Sequence, residues 1–180
     1  MDENDAAELL RMLDYMSLAI TQAAAYISQR APRTTISKYL HNLHKSDGER
    51  ASLLNKDVRD SRRDGRASNS IITTWQISFE HIRQTRPSAA QLLSLMSLFD
   101  RQGIPESLLN NHYQEDDMRG DFEDDLHTLS SYSLIGSNLD GNLFEMHRLV
   151  QFSTKTWLAL NGELERWKEK YITISTRLSR

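Results

Sequence analysis

Residues 133–150 read SLIGSNLDGNLFEMHRLV, and within them the apolar pattern changes its period. Ser133-Leu134-Ile135-Gly136-Ser137 and Leu143-Phe144-Glu145-Met146 flank Leu139-Asp140-Gly141-Asn142. Period-two segments on either side of Asp-Gly are the signature of a β-hairpin. From His147 onward the apolar spacing returns to steps of three and four through Leu149, Val150, Ser153, Trp157 and Leu160, which predicts a helix over 147–160. One hairpin among helices points to a mainly α chain. With 7 Gly and 3 Pro in 180 residues, the turns of a many-stranded sheet protein are missing.

Upstream of the hairpin, Ile71, Trp75, Phe79 and Ile82 form one apolar stripe on a helix expected over 70–86, which Pro87 stops. Ser88 with Gln91 reads as a capping box. The helix it would open, through Phe99, is apolar nearly all round (Leu92, Leu93, Leu95, Met96, Leu98) and therefore belongs in a core. Gly103-Ile104-Pro105 reads as a turn into a short helix at 105–111, and a helix at 120–132 directs Phe122, Leu126 and Leu129 inward. Helix, helix, helix, hairpin and helix over 70–160 have the order of a winged-helix domain with one extra helix.

The N-terminal third predicts a helix over 3–13, a break from Asp14 to Ser17, and a second helix over 17–29 ended by Pro32. Ala23-Ala24-Ala25 suits close packing against another helix. A third helix is expected at 35–46, with Ile36, Tyr39, Leu40 and Leu43 on one side and Thr34 or Thr35 as cap. From 47 to 69 the periodicity fails, and the segment reads as a linker. Its KDVRDSRRDGR carries five basic residues and three Asp, a solvated loop rather than a nucleic-acid patch. At the other end Leu164, Trp167, Tyr171, Ile174 and Leu178 make a stripe on a final helix with no later sequence to cover it. That stripe folds back, binds another chain or belongs to a longer array.

Composition narrows the function classes. Hydrophobic residues at 38% and charged residues at 26% exclude both a disordered tail and a bilayer protein. The net charge of -3 gives no general attraction to nucleic acid or anionic membrane. The absence of Cys excludes disulfides, thiolate zinc sites and a Cys nucleophile, and the acidic N-terminus resembles no targeting peptide, so the cytoplasm is the expected location. No G-x-x-x-x-G-K-[ST] or G-x-G-x-x-G occurs, and His41 with His44 lacks a third metal ligand nearby. His81, His112 and His127 stand alone. The helix in the DNA-reading position is opened by EDDMRGDFEDD, seven carboxylates against one Arg, which reads as a solvated acidic face that repels phosphate. No catalytic constellation is visible, and the chain is not expected to be an enzyme. His147 is different: it stands where the hairpin meets the next helix, so it either caps that helix or donates to an anion there.

TWQISFEHIRQTRPSAAQLLSLMSLFDRQGIPESLL, FEDDLHTLSSYSLIG and FEMHRLVQ together resemble the segment that follows the ATPase core in fungal NB-ARC proteins with tetratricopeptide repeats, over about 70–170. LDYMSLAITQAAAYI at 13–27 is similar to the Gly-Leu-Pro-containing helix that ends their nucleotide-binding part, and GELERWKEKYITISTRLSR to the start of their repeats. These are nucleotide-operated signalling switches. The resemblance implies that His147, in Met146-His147-Arg148, contacts the β-phosphate of ADP in the closed state. Plant relatives carry Asp where this chain has Arg148. It also implies that Ser17 and Leu18 lie at the adenine, although Tyr15-Met16-Ser17 replaces Gly-Leu-Pro and lacks its Pro. The phosphate-binding loop, the Mg-coordinating strand and the sensor Arg would precede residue 1, and the repeats would follow residue 180.

The expected organisation is therefore a helical end of a nucleotide-binding module at 1–47, a linker at 48–69, a winged-helix-like regulatory domain at 70–160 and the start of a helical repeat array at 161–180. The expected role is a regulatory lid of a nucleotide switch in a fungal immune or self-recognition protein, without catalysis. The chain alone has no cofactor, and ADP or ATP is implied only together with an upstream phosphate-binding loop. Partners are proteins that dock on Leu164, Trp167, Tyr171, Ile174 and Leu178, with neither nucleic acid nor membrane expected. A stand-alone interaction module is the alternative, and a winged-helix DNA binder the third reading.

Overall fold

The computed structural model describes residues 3–45, 65–115 and 121–177; the expected linker up to residue 64, part of the acidic run at 116–120, and Leu178 lie outside them. The described residues form nine helices and one small sheet, so the chain is mainly α. It divides into two compact units, Met1–Glu80 and His81–Arg180.

In the first unit, α1 (Glu3–Met12) and α2 (Ser17–Gln29) are joined by Asp14 and Tyr15, both left-handed with φ of 50° and 54°. This is the break the sequence announces. In α3 (Ile36–Lys45), Thr35 caps the helix: its Oγ1 accepts from the backbone N–H of Lys38 at 3.3 Å. Helix α4 (Gly65–Thr85) begins five residues before the expected Ser70. Leu9, Leu13, Ala19, Ala23, Tyr39, Leu43, Ile71, Trp75 and Phe79 are buried. Of the alanine run, Ala24 faces solvent. The apolar face is not the whole of α4, because Ser70, Thr74 and Ser78 are buried as well. Ser70 Oγ donates to Asp14 Oδ2 at 3.2 Å and Thr74 Oγ1 to Gln22 Oε1 at 2.5 Å.

The second unit starts with the last turn of α4 and continues through α5 (Pro87–Met96), β1 (Ile104–Pro105), α6 (Glu106–Glu115), α7 (Phe122–Ser131), β2 (Gly136–Ser137), β3 (Leu143–Glu145), α8 (Arg148–Leu160) and α9 (Leu164–Arg177). Helix α5 is its centre: Ala89, Ala90, Leu92, Leu93, Leu95 and Met96 are all buried, and α7, α8 and α9 pack on it. The expected capping box is absent. Pro87 takes the first helical position, and Ser88 turns its hydroxyl to Asp125 instead. The expected turn at Ile104-Pro105 is a third strand: Ile104 pairs with Phe144 and Pro105 with Leu143, giving the antiparallel order β1-β3-β2. Proline is tolerated there because β1 is an edge strand. The hairpin turn is held by Asn138, whose Oδ1 accepts from the backbone N–H groups of Asn142 and Leu143 at 3.1 Å each, while Gly141 supplies φ of +72°. Gly162, at φ +71°, closes α8 in the usual left-handed way, with Glu163 N–H donating back to Leu158 O at 2.8 Å.

Candidate functional site

The segment Met146 to Gln151 divides its side chains between three tasks. Met146 and Val150 are buried in the core of the second unit. His147 is the N-cap of α8, with extended backbone and Nδ1 accepting from Leu149 N–H at 3.2 Å. Gln151 reaches back to the end of α5 and donates through Nε2 to the carbonyls of Ser97 at 2.9 Å and Phe99 at 2.8 Å. The Ser97 carbonyl, at the C-cap of α5, is among the groups a helix end leaves without intrahelical partners. The tie also holds the chain between α5 and β1 beside the motif, where Arg101 accepts from Met146 N–H through its carbonyl at 2.9 Å.

The capping role fixes the state of the imidazole. A ring whose Nδ1 accepts is neutral and carries its proton on Nε2. Burial holds His147 below the ordinary histidine value, and the positive charges of Arg148 and Arg101 lower it further. His147 is exposed as a residue, and its Nε2–H is left as a donor. Capping and donation, alternatives in the sequence, are thus compatible in one ring. Ser17 and Leu18 are the first two residues of α2, exposed and half-buried respectively, and belong to the first unit, whereas His147 belongs to the second.

The acidic run is not the uniformly solvated face expected. Asp121 caps α7 by accepting from Asp124 N–H at 3.1 Å, and Asp124 is exposed. Asp125, in contrast, is completely buried. It accepts from Arg86 Nε, from Ser88 Oγ at 2.9 Å and from Tyr113 OH at 2.7 Å. Burial and the adjacent carboxylate push the Tyr113 phenol well above its ordinary value, so it stays a donor. The signal was present in the sequence: Asp125 lies three residues from Phe122 and four from Leu129, at a core position of the stripe.

The terminal stripe is covered in part by its own chain. Trp167 is 2% exposed, Tyr171 meets Phe99 edge-on with centroids 4.9 Å apart, and Leu164 and Ile174 are half-buried. Ile172, outside the stripe, is exposed. His44 lies 3.8 Å from Glu8, and His41 is exposed. Among the described residues no three His, Asp or Glu side chains are grouped to share a metal ion, and no helix is long and apolar enough to cross a membrane.

A family model described as a domain of unknown function, DUF7779, matches residues 80–161, most of the second unit. A nucleotide-binding leucine-rich repeat (NLR)-like protein of Hyaloscypha variabilis is 39% identical over 165 residues, which make up 90% of this chain. The chain is related to an NLR-like protein. It spans 16% of the length of that relative. No solved structure matches it.

Proposed function

We propose that this segment is the regulatory lid of an NB-ARC-type nucleotide switch, acting in an NLR-like signalling protein and hydrolysing nothing itself. The observation that carries the reading is the likeness of nearly the whole chain to a stretch of an NLR-like protein. Two features of the second unit support it. The order α5-β1-α6-α7-β2-β3-α8, with its sheet order β1-β3-β2, suits a winged-helix-like regulatory module. His147 offers a neutral Nε2–H donor, which fits one oxygen of a nucleotide phosphate. When ADP is bound, it supplies the anionic phosphate that this donor meets. The remaining phosphate contacts have no counterpart in the sequence, which lacks a phosphate-binding loop motif. The partial covering of Trp167 and Tyr171 argues against the stand-alone docking module.

The test separates capping from donation. In a full-length protein carrying this segment, His147→Ala and His147→Asn are compared for ADP retained after gel filtration and for thermal stability. Asparagine caps a helix well but does not place a donor where Nε2 was. Both variants are expected to release ADP faster, with only His147→Ala losing stability. Unchanged ADP retention in both would overturn the lid reading.

A further inference from the structure

Arg101 stands in the segment between α5 and β1, and the rest of the second unit holds that segment from several sides. Gln151 Nε2 donates to Ser97 O at 2.9 Å and to Phe99 O at 2.8 Å. The Phe99 ring meets Tyr171 edge-on, and the Arg101 carbonyl accepts from Met146 N–H at 2.9 Å. The last contact fixes Arg101 beside the residue that precedes His147, and Arg148 follows His147 directly in the chain. Two guanidiniums therefore flank one imidazole. Both charges reach it: after burial, they are what holds His147 below the ordinary histidine value.

Neither guanidinium is answered by a carboxylate. Among the described residues the side chains of Arg101 and Arg148 have no ion pair and no hydrogen bond, although Arg101 is half-buried. Arg86 in the same unit, by contrast, is bonded to two aspartates. The acids nearest in sequence are turned elsewhere. Asp100 Oδ1 accepts from the Gln102 N–H at 3.3 Å. Glu145 lies over Gly136, its Cγ 3.4 Å from where a Cβ on that glycine would stand, and Gly136 is on β2, across β3 from β1. The helix end is not what the cluster offers, because His147 Nδ1 already takes the Leu149 N–H. What it offers is the imidazole Nε2–H and two cationic forks. Like charges placed together repel, and an anion between them relieves the repulsion. The planar fork of a guanidinium matches the oxygens of a phosphate.

We propose that Arg101 and Arg148, together with the Nε2–H of His147, form a site for a dianionic phosphate group, the guanidiniums supplying charge and the imidazole a neutral donor. That this group is the terminal phosphate of ADP rests on the lid reading; that the cluster binds a phosphate dianion does not. Three side chains on one phosphate do not replace a phosphate-binding loop. Open to solvent and screened by salt, they hold free phosphate in the millimolar range only.

The 180-residue chain is titrated with inorganic phosphate just above neutral pH, with sodium chloride at matched ionic strength as the control. NMR follows the His147 imidazole and the Nε–H groups of both arginines. Saturable shifts at all three are expected with phosphate and none with chloride. Arg101→Gln and Arg148→Gln should each weaken the apparent affinity about tenfold, the loss of one charge-assisted hydrogen bond. Arg101→Lys keeps the charge without the fork and should weaken it less. Neither arginine side chain bonds within the fold, so all three variants should melt with the wild type, which separates lost binding from lost folding. Shifts that do not saturate, that chloride reproduces, or that both glutamine variants retain overturn the site. Failure of the lid reading looks different: phosphate titrates the isolated chain as described, while Arg101→Gln and His147→Asn leave ADP retention in the full-length protein unchanged. The site then stands, with a phosphate group from another source as its ligand.

Discussion

His147 shows how one side chain serves the fold and remains available for chemistry. Its Nδ1 accepts the Leu149 N–H, so His147→Ala should cost about 1 kcal/mol of stability and His147→Asn much less, as read by thermal unfolding. The imidazole also ties stability to pH. Burial and then Arg148 and Arg101 hold it below the ordinary value, so the unfolded chain takes up this proton first as the pH falls. Its stabilising contribution is complete above about pH 6.5, the unfolded value, and is lost as the pH drops through the lower folded value. Relative to wild type, His147→Asn should show a weaker loss of stability between neutral and mildly acidic pH. Tyr15 presents the opposite case, a side chain that works against its backbone. It is 69% exposed with φ of 54°. The left-handed conformation costs about 1–2 kcal/mol, more than the roughly 0.5–1 kcal/mol of entropy that glycine adds. Tyr15→Gly should therefore raise stability by about 0.5–1 kcal/mol in urea unfolding.

At the scale of elements, the second unit is held by long-range ties between helix ends as well as by its apolar faces. Gln151 joins the first turn of α8 to the end of α5. Replacing it in Gln151→Leu leaves two carbonyls without this donor and should cost about 1–3 kcal/mol, seen as a lower denaturant midpoint at unchanged slope. Helix α9 is anchored through Trp167, buried to 2% exposure. Trp167→Ala should then cost about 3–5 kcal/mol on thermal unfolding. A residue kept only for docking a partner would leave the isolated chain's stability nearly unchanged.

At the scale of the whole molecule, the two units divide inside α4, between Glu80 and His81, and the chain matches a stretch of a longer NLR-like protein. The lid reading sets a limit on what the segment does alone. A hydrogen bond from His147 to a phosphate contributes about 1.5–3 kcal/mol, against roughly 8 kcal/mol for micromolar affinity. Titration calorimetry of the isolated chain with ADP should show no saturable heat at tens of micromolar. Tight binding would mean that this chain holds a nucleotide site of its own.

The mainly α class and the order of the helices around the hairpin are legible in the sequence, because these follow from local causes. The period change at 133–150 located the hairpin, Pro87 ended α4, and the steps of three and four placed α2, α7 and α8 to within two residues. It also marked His147 as the junction residue. What it left to the tertiary structure were the pairings that depend on distant residues. The core position of Asp125 is legible in its stripe, but its partner is not until Arg86, 39 positions away, is brought to it. Ile104-Pro105 reads as a turn until Phe144 supplies a strand to pair with, and Ser88 reads as a cap until a buried carboxylate competes for its hydroxyl. How far its own chain covers the terminal stripe is likewise a tertiary matter: the last helix packs on α5 and α8, and Trp167 is buried. Periodicity and capping are properties of neighbouring residues in the chain, whereas a buried charge, an edge strand and a covered face are set by elements that only folding brings together.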